Sequence, residues 1–380
     1  GEAAGPEGGL EIYDYDLKCV HADRVKVLVP AGLPEETRAR LMRSARVVIQ
    51  TLGVRDMARI DFRLDDRGTL YFIELNALPS LEEGASIYAS SVLAGMKDMS
   101  AVLGRIVDSA AERFGISPLP ARRRPHVPGN GNGLCVGLTF NLRRSAPLSG
   151  RGDEEAEHDS PETIRAIHEA LASYGYRVVE LEATPELPAL LPEAAVDIVF
   201  NIAEGFKGRY RESQIPALLE LLGIVYTGSD PTALSLSLDK GLAKRLVRQA
   251  GFHTPPFFLI TSGRERLPRG FRFPAIVKPV AEGSSKGVLE TSVVETEQEL
   301  REIARETALR YRQAAIAESY VGGREFTVGL LGERRPRVLP PMEILFTGKE
   351  ERYPIYSFRS KFAGDAVSFQ VPARVDPSLE

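Results

Sequence analysis

The sequence predicts an α/β fold with α+β elements, and three observations carry that expectation. Between residues 134 and 235, apolar strand-like runs alternate with helical periodicity, the pattern of an open parallel sheet. Residues 58–76, ARIDFRLDDRGTLYFIELN, place two alternating runs around a polar tetrad, the pattern of an antiparallel hairpin. Residues 117–133, SPLPARRRPHVPGNGNG, are rich in Pro, Gly and Arg and divide the chain as a linker.

The elements follow in order. Residues 34–51 show helical spacing, with Leu41, Ala45, Val48 and Ile49 on one face. The hairpin comes next, then helical segments near 86–97 and 100–114. After the linker, LCVGLTF reads as a buried strand, and the acidic stretch 147–158 as a solvated charge run. Asp159-Ser160-Pro161 opens a helix, combining cap residues with an early proline. YRVVEL and VDIVFN are the next strands.

The hairpin poses the chemical question. If Leu64 pairs with Thr69, Arg59 opposes Glu74 and Asp61 opposes Phe72. Arg59, Asp61, Glu74 and Asn76 then share one face, because side chains alternate along a strand.

Bulk properties narrow the function. The 380 residues are enough for two or three domains. A net charge of −4 argues against a general nucleic-acid partner, which needs a basic face. No run approaches the roughly 20 apolar residues of a membrane span, and no secretory leader is evident. Cys19 and Cys135 form no disulfide framework or metal motif, and the five histidines lack zinc spacing. The expected compartment is the cytoplasm. Arginine outnumbers lysine 38 to 10, so a lysine in a motif position carries more weight, and lysine is a common phosphate ligand.

An internal repeat is visible. IYDYDLKCVHADRVKVLVPA (12–31) resembles IYSFRSKFAGDAVSFQVPA (355–373). Ile12, Tyr13 and Lys18 match Ile355, Tyr356 and Lys361. Val25, Val29, Pro30 and Ala31 match Val367, Val371, Pro372 and Ala373 at an offset of 342. The expectation is a tandem duplication with a unit of about 342 residues, the chain opening late in one copy and closing within the next.

Five further motifs occur in a fixed order: NIAEG (201–205), LLELLGIVYTGSDP (218–231), LDK (238–240), FPAIVKPVAEGSSKGV (273–288) and AESYVGGREFTVGLLG (317–332). With RIDF…IELN they resemble the ATP-grasp superfamily, specifically the D-alanine–D-alanine ligase family. The resemblance covers nearly the whole chain outside the linker. It implies an ATP-grasp fold with a small parallel-sheet N-terminal domain, its pieces in permuted order. Residues 1–116 would be the C-terminal half carrying the metal hairpin, 117–133 the linker and 134–235 the pre-ATP-grasp domain. Residues 236–330 would be the central domain and 331–380 the start of a second C-terminal half.

The resemblance also assigns roles. Asp61, Glu74 and Asn76 match the positions that hold Mg2+ (or Mn2+), a hard cation that prefers oxygen ligands. Arg59 matches the arginine that stabilises a tetrahedral oxyanion. Lys240 and Lys278 match the lysines on the α- and β-phosphates of ATP. EGSSKGV, with Glu282, Ser284 and Ser285, matches the glycine-rich flap over the phosphates, where small residues let backbone N–H groups approach anions. Glu318, Ser319 and Val321 match the adenine hinge, and Glu325 the ribose-binding acid. Lys18 and Lys361 are the same mobile-loop lysine, one per copy, and join Arg59 and Ser285 in the expected catalytic group. Ser86 and Tyr88 resemble the SxY that binds the second substrate's carboxylate, after a one-residue insertion.

The implied activity is ATP-dependent carboxylate–amine ligation through an acyl phosphate, as in peptidoglycan assembly. Small amino acids would be the substrates, and a homodimer or the other tandem copy the partner. Several departures bear on specificity. VGLTFNLRR (136–144) has no acid where the family's GGxSxE motif anchors the first ammonium group; the acidic run Asp153, Glu154, Glu155 and Glu157 is an alternative source of one, beside its reading as solvated charge. Cys19 and Phe362 stand where a tyrosine accompanies the mobile lysine. NIAEGFKGRYRES (201–213) replaces HGxxGEDG, and Ser80 replaces a glycine. Two alternatives follow: a ligase for other amino acids, as in natural-product assembly, and a non-catalytic ATP-binding tandem module.

Overall fold

Strands from both ends of the chain are woven into one sheet. The computed structural model describes residues 25–82, 86–116, 134–144, 153, 155–333, 336–346, 353 and 367–370. In chain order the first elements are β1 (Val25–Leu28), α1 (Glu35–Leu52), β2 (Met57–Leu64), β3 (Leu70–Asn76), α2 (Ser86–Leu93) and α3 (Met99–Phe114). There follow β4 (Cys135–Phe140), α4 (Pro161–Ser173), β5 (Arg177–Glu182), α5 (Leu187–Ala194), β6 (Ile198–Asn201), α6 (Gln214–Leu221), α7 (Pro231–Leu238) and α8 (Lys240–Gln249). The last group is β7 (Phe257–Ile260), β8 (Ala275–Pro279), β9 (Val293–Val294), α9 (Glu297–Tyr311), β10 (Ala315–Ser319), β11 (Arg324–Leu331), β12 (Arg337–Val338), β13 (Met342–Phe346) and β14 (Val367–Gln370).

Among the described residues the strands form three sheets. The largest has the order β14-β1-β13-β11-β2-β3, with β12 on β11. The second is β7-β10-β8-β9, and the third is β5-β4-β6, parallel throughout. The expected parallel sheet is thus present. β2 runs antiparallel to β11 along its whole length, from Leu64↔Arg324 to Met57↔Leu331. β1 lies between β13 and β14. No helix among the described residues is long and apolar enough to cross a membrane.

Local chemistry explains the elements. On α1 the predicted face, Leu41, Ala45, Val48 and Ile49, is buried. The helix ends at Gly53, whose φ of 69° lets its N–H turn back to the Gln50 and Ile49 carbonyls. α4 starts as predicted, Ser160 accepting from the Thr163 N–H with Pro161 in the first turn.

The hairpin differs from its expected register. Leu64 pairs with Leu70, not Thr69, and Phe62 with Phe72. Asp65 holds the loop, its side chain accepting from the Arg67 and Thr69 N–H groups. A bulge then inserts Ile73, after which Asp61 opposes Glu74 and Arg59 opposes Asn76. The correction has a physical cause. Phe72, Glu74 and Asn76 have the same parity, so an unbroken strand would send the aromatic ring and the acid to one face. The extra residue sends Phe72 into the core against Phe62, ring centroids 6.3 Å apart, and leaves Glu74 facing Asp61.

The acidic stretch also differs from expectation. Asp153 and Glu157 are buried rather than solvated. Asp153 accepts from the Tyr311 hydroxyl at 2.6 Å and the Gly287 N–H at 2.8 Å. Arg211 donates to both oxygens of Glu157 at 2.6 Å, and the Gly283 N–H donates to one of them at 2.6 Å. Charge density in sequence did not reveal these partners, which lie 54 to 158 positions away.

One buried pair ties hairpin, helix and parallel-sheet region together. Asp56, fully buried, accepts from both terminal nitrogens of Arg113 (2.8 and 2.9 Å), from Ser109 and from the Gly228 N–H. Replacing Arg113 with Met keeps roughly the volume but removes both guanidinium partners of the buried Asp56 side chain. We expect Arg113→Met to cost ~3–5 kcal/mol in urea unfolding; a loss under ~1 kcal/mol would mean the pair is incidental to stability.

Candidate active site

The β2–β3 face and the β8–β10 face meet around a cavity of about 100 Å3. Arg59, Asp61 and Glu74 reach it from the hairpin, Lys240 from the start of α8, and Lys278 from β8. Glu282 and Ser285 come from the loop after β8; Glu318, Ser319, Val321 and Glu325 come from β10, β11 and their junction. Eleven of the predicted site residues therefore converge, although they are spread from 59 to 325 in the chain.

Other predicted residues are placed differently. Asn76 and Ser284 line a neighbouring smaller cavity that shares Arg59. The Asn76 side-chain oxygen accepts from the Leu78 N–H at 2.8 Å. Tyr88 stands on α2 and lines neither cavity. Ser86 begins α2, and its side chain lies outside the described residues, as do Lys18 and Lys361.

The electrostatics centre on cations around two acids. Glu318, buried on β10, sits 3.3 Å from both Lys244 and Lys278. Glu74 lies 3.6 Å from Lys240. Burial alone would raise the Glu74 carboxyl; Lys240, Lys278 and Arg59 overcome this and hold it at about 2. Lys278 is also raised: burial opposes its charge, but Glu318 and Glu74 outweigh that. Both residues are accordingly ionised at neutral pH. Lys240 also donates its ammonium to the Glu282 carbonyl.

Asp61 is bound at 3.0 Å by Arg59 and hydrogen-bonded by the Thr327 hydroxyl from β11. The 282–288 loop turns through left-handed backbone at Ser284 (φ 48°) and Ser285 (φ 57°). At Gly283 a Cβ would lie 2.5 Å from Glu157 Oε1, which accepts from the Gly283 N–H at 2.6 Å. The loop thus needs glycine there, and it is held by the acidic segment.

Two charged residues, Arg63 lining the cavity and Lys244 buried behind Glu318, were missed in sequence. Lys244 is fully buried, donating to the Ile73 carbonyl at 2.6 Å, the group exposed by the bulge. Burial pulls its pKa down to about 8 despite Glu318. Its signal was its place four residues after Lys240, on the same helical face. Arg63 binds Glu325 at 2.7 Å and donates to the Tyr320 hydroxyl and the Val321 carbonyl. It stands two residues after Asp61 and so on the same strand face. The acid expected at the ribose is already engaged by this guanidinium.

Known proteins resemble this chain. The family model for the D-ala D-ala ligase C-terminus matches residues 5–108 and 246–380. A D-alanine–D-alanine ligase from Aquifex aeolicus is 36% identical over 226 residues, covering 59% of this chain and 72% of that protein. An uncharacterized protein from Sinorhizobium fredii is 36% identical over 183 residues, 48% of this chain; the chain spans 53% of that relative's length. Among solved structures, the Bacillus anthracis D-alanine–D-alanine ligase complexed with ATP aligns over 57% of this chain and 87% of its own. The identity is 17% and the TM-score 0.39, a likeness too slight to bear on the chemistry.

Lys244 makes a pH-dependent contribution. Its folded pKa is below its unfolded one, so the unfolded chain binds the extra proton between about pH 8 and 10.5. Stability relative to Lys244→Met should therefore rise across that window, by on the order of 3 kcal/mol. Denaturation at pH 7.5 and pH 10 for both proteins checks this, and a pH-independent difference would remove the assignment.

Proposed function

This chain belongs to the D-alanine–D-alanine ligase family, and on that premise we propose that it is an ATP-dependent carboxylate–amine ligase. The observation that carries the proposal is the position of Arg59. It lines both the cavity holding the lysines and flap and the smaller cavity beside it. The two reactants of a ligation, nucleotide and amino acid, would meet at such a junction.

In the first step a substrate carboxylate oxygen attacks the γ-phosphorus of ATP. The bond to the bridging oxygen breaks, ADP leaves and an acyl phosphate remains. In the second step the amine nitrogen of another substrate attacks the acyl carbon. The tetrahedral oxyanion collapses, inorganic phosphate leaves and the nitrogen loses a proton. Neither step needs a protein nucleophile; each needs alignment and neutralised charge. Lys240 and Lys278 supply fixed positive charge for the phosphates, and the 282–288 flap covers them. Lys244 neutralises Glu318 and anchors the bulge, which fixes Ile73 and Glu74 beside the phosphates. Arg59 serves the oxyanion. Arg63 orients Glu325 and the Val321 carbonyl at the nucleoside end.

The donor set fits Mg2+. Asp61 and Glu74 oppose each other across the ladder, Asn76 follows, and Glu74 is held ionised by its surroundings. These three residues would hold the ion, which when bound would neutralise charge on the phosphate oxygens. D-alanine is the leading substrate on the strength of the family. The missing acid at 136–144 supports the alternative, a ligase for other amino acids. We infer a cytoplasmic setting with small-molecule substrates, and pairing with a second copy, as the arrangement suited to this chemistry.

The pairing of β1 with β14 favours the tandem reading of the chain. They run parallel with Val25 opposite Val367, the same offset of 342 found in the repeat. A duplicated module that binds ATP without ligating it is therefore the second reading.

ADP release from MgATP, with D-alanine, L-alanine and other amino acids, separates these readings. Amino-acid-dependent release that falls by ~10²–10³-fold or more in Lys278→Ala and Asp61→Asn supports ligation. ATP binding without release across the panel would favour the non-catalytic module.

A further inference from the structure

Arg63 joins three groups at one end of the larger cavity. It stands on β2 directly opposite Glu325 of β11, and both residues line the cavity. Its Nε and Nη2 both donate to Glu325 Oε2, at 3.1 and 2.7 Å. Its Nη1 donates to the Tyr320 hydroxyl at 3.1 Å and to the Val321 carbonyl at 3.0 Å. The guanidinium carbon lies 5.2 Å from the centre of the Tyr320 ring. One planar group thereby holds the acid expected at the ribose and the end of the hinge in a fixed relation. Burial opposes its charge, but Glu325 and Tyr320 outweigh that and raise its pKa.

The backbone keeps this frame rigid. The turn from the hinge into β11 passes close to β2: Gly323 has a φ of 106°, and a Cβ there would collide with the Leu64 carbonyl. Arg63 and Leu64 therefore hold the same turn, one through its side chain and the other through close backbone packing. The turn cannot leave β2 without breaking the bond from Arg63 to Val321.

The form of the ion pair points to a use beyond stapling two strands. Arg113, which ties elements together, engages both carboxylate oxygens of Asp56. Arg63 instead places two donors on one oxygen of Glu325 and leaves Oε1 outside the pair, in a side chain that is 14% exposed and lines the cavity. Two donors on one oxygen fix the direction of the carboxylate. An ionised carboxylate only accepts, so the complement of Oε1 is a small donor such as a hydroxyl.

We propose that Arg63 is a positioning residue for nucleotide selectivity: by taking Glu325 Oε2 it directs Oε1 to a ribose hydroxyl and makes the site discriminate against deoxynucleotides. This rests on the ligase reading for its nucleotide, and it adds the residue that sets the aim of the acid and links it to the hinge. A carboxylate held in place cannot turn to another partner when the hydroxyl is missing, so the deoxynucleotide leaves it unpaired. Released from Arg63, Glu325 would turn towards Lys278, whose charge it already favours.

The test is calorimetric titration of the full chain, with Mg2+ present, against ATP, 2′-deoxy-ATP, 3′-deoxy-ATP and tripolyphosphate, which has no nucleoside. Wild-type protein should bind ATP more tightly than at least one deoxynucleotide by about tenfold or more, as a hydrogen bond to a charged group provides. Arg63→Met should bring that ratio below about threefold while tripolyphosphate affinity stays unchanged. Arg63→Lys keeps a charge beside Glu325 but cannot reach the Tyr320 and Val321 acceptors in the same plane, so its ratio should fall too. This second variant decides the matter if Arg63→Met does not fold. Equal binding of ATP and both deoxynucleotides by wild type would overturn the assignment. So would a ratio that survives in either variant, which would leave Arg63 a staple between strands, or a matching loss of tripolyphosphate affinity. ADP release with amino acids reads the ligase proposal separately. Selectivity without release would retain the role of Arg63 and remove ligation; release without selectivity would do the reverse, and absence of ATP binding would overturn both.

Discussion

The antiparallel ladder between β2 and β11 carries the site, because it joins strands about 260 residues apart and puts their polar faces in register. Asp61 lies opposite Thr327 and Arg63 opposite Glu325 in that ladder. Both pairs are also bonded through their side chains, the second at 2.7 Å. The β3 strand then adds Glu74 and Asn76 on the far edge. Without this pairing the hairpin's acids and the lysines of the second half would have no common cavity.

Charge balance explains why so many ionised groups tolerate burial. Glu318 is flanked by Lys244 and Lys278, and Glu74 by Lys240. Glu318 and Glu74 outweigh the desolvation of Lys278, and Lys240, Lys278 and Arg59 hold Glu74 ionised. Such clusters contribute less to net stability than to a fixed arrangement of charge. A fixed arrangement is what phosphoryl transfer uses, since its catalysis lies in position and neutralisation. The bulge at Ile73 belongs to the same scheme. It turns a carbonyl to Lys244 and separates the aromatic ring from the acid on one strand.

The acidic segment shows how the flap is integrated. Asp153 and Glu157 accept from the N–H groups of Gly287 and Gly283, near the two ends of the loop. Arg211 adds a bond to the Ala281 carbonyl at 2.7 Å. A stretch that looks like solvated charge is therefore the support of the glycine-rich loop.

The sequence by itself determined the helix faces and caps, the parallel sheet and the family, and it singled out the lysines and acids that the fold brings together. These rest on local periodicity, capping chemistry and ordered motifs, which neighbouring residues specify. Lys240 at a helix start and Lys278 on a buried strand were legible for that reason. Tertiary structure alone decided the hairpin register, the partners of Asp153 and Glu157, and the placement of Arg63 and Lys244. A bulge depends on which face must be buried, and an ion pair on residues brought together from distant positions. Neither is encoded in the spacing of one segment. Glu204 stood within the NIAEG motif, but its burial needed the packing of β4, β6 and the turn after β6 to become apparent.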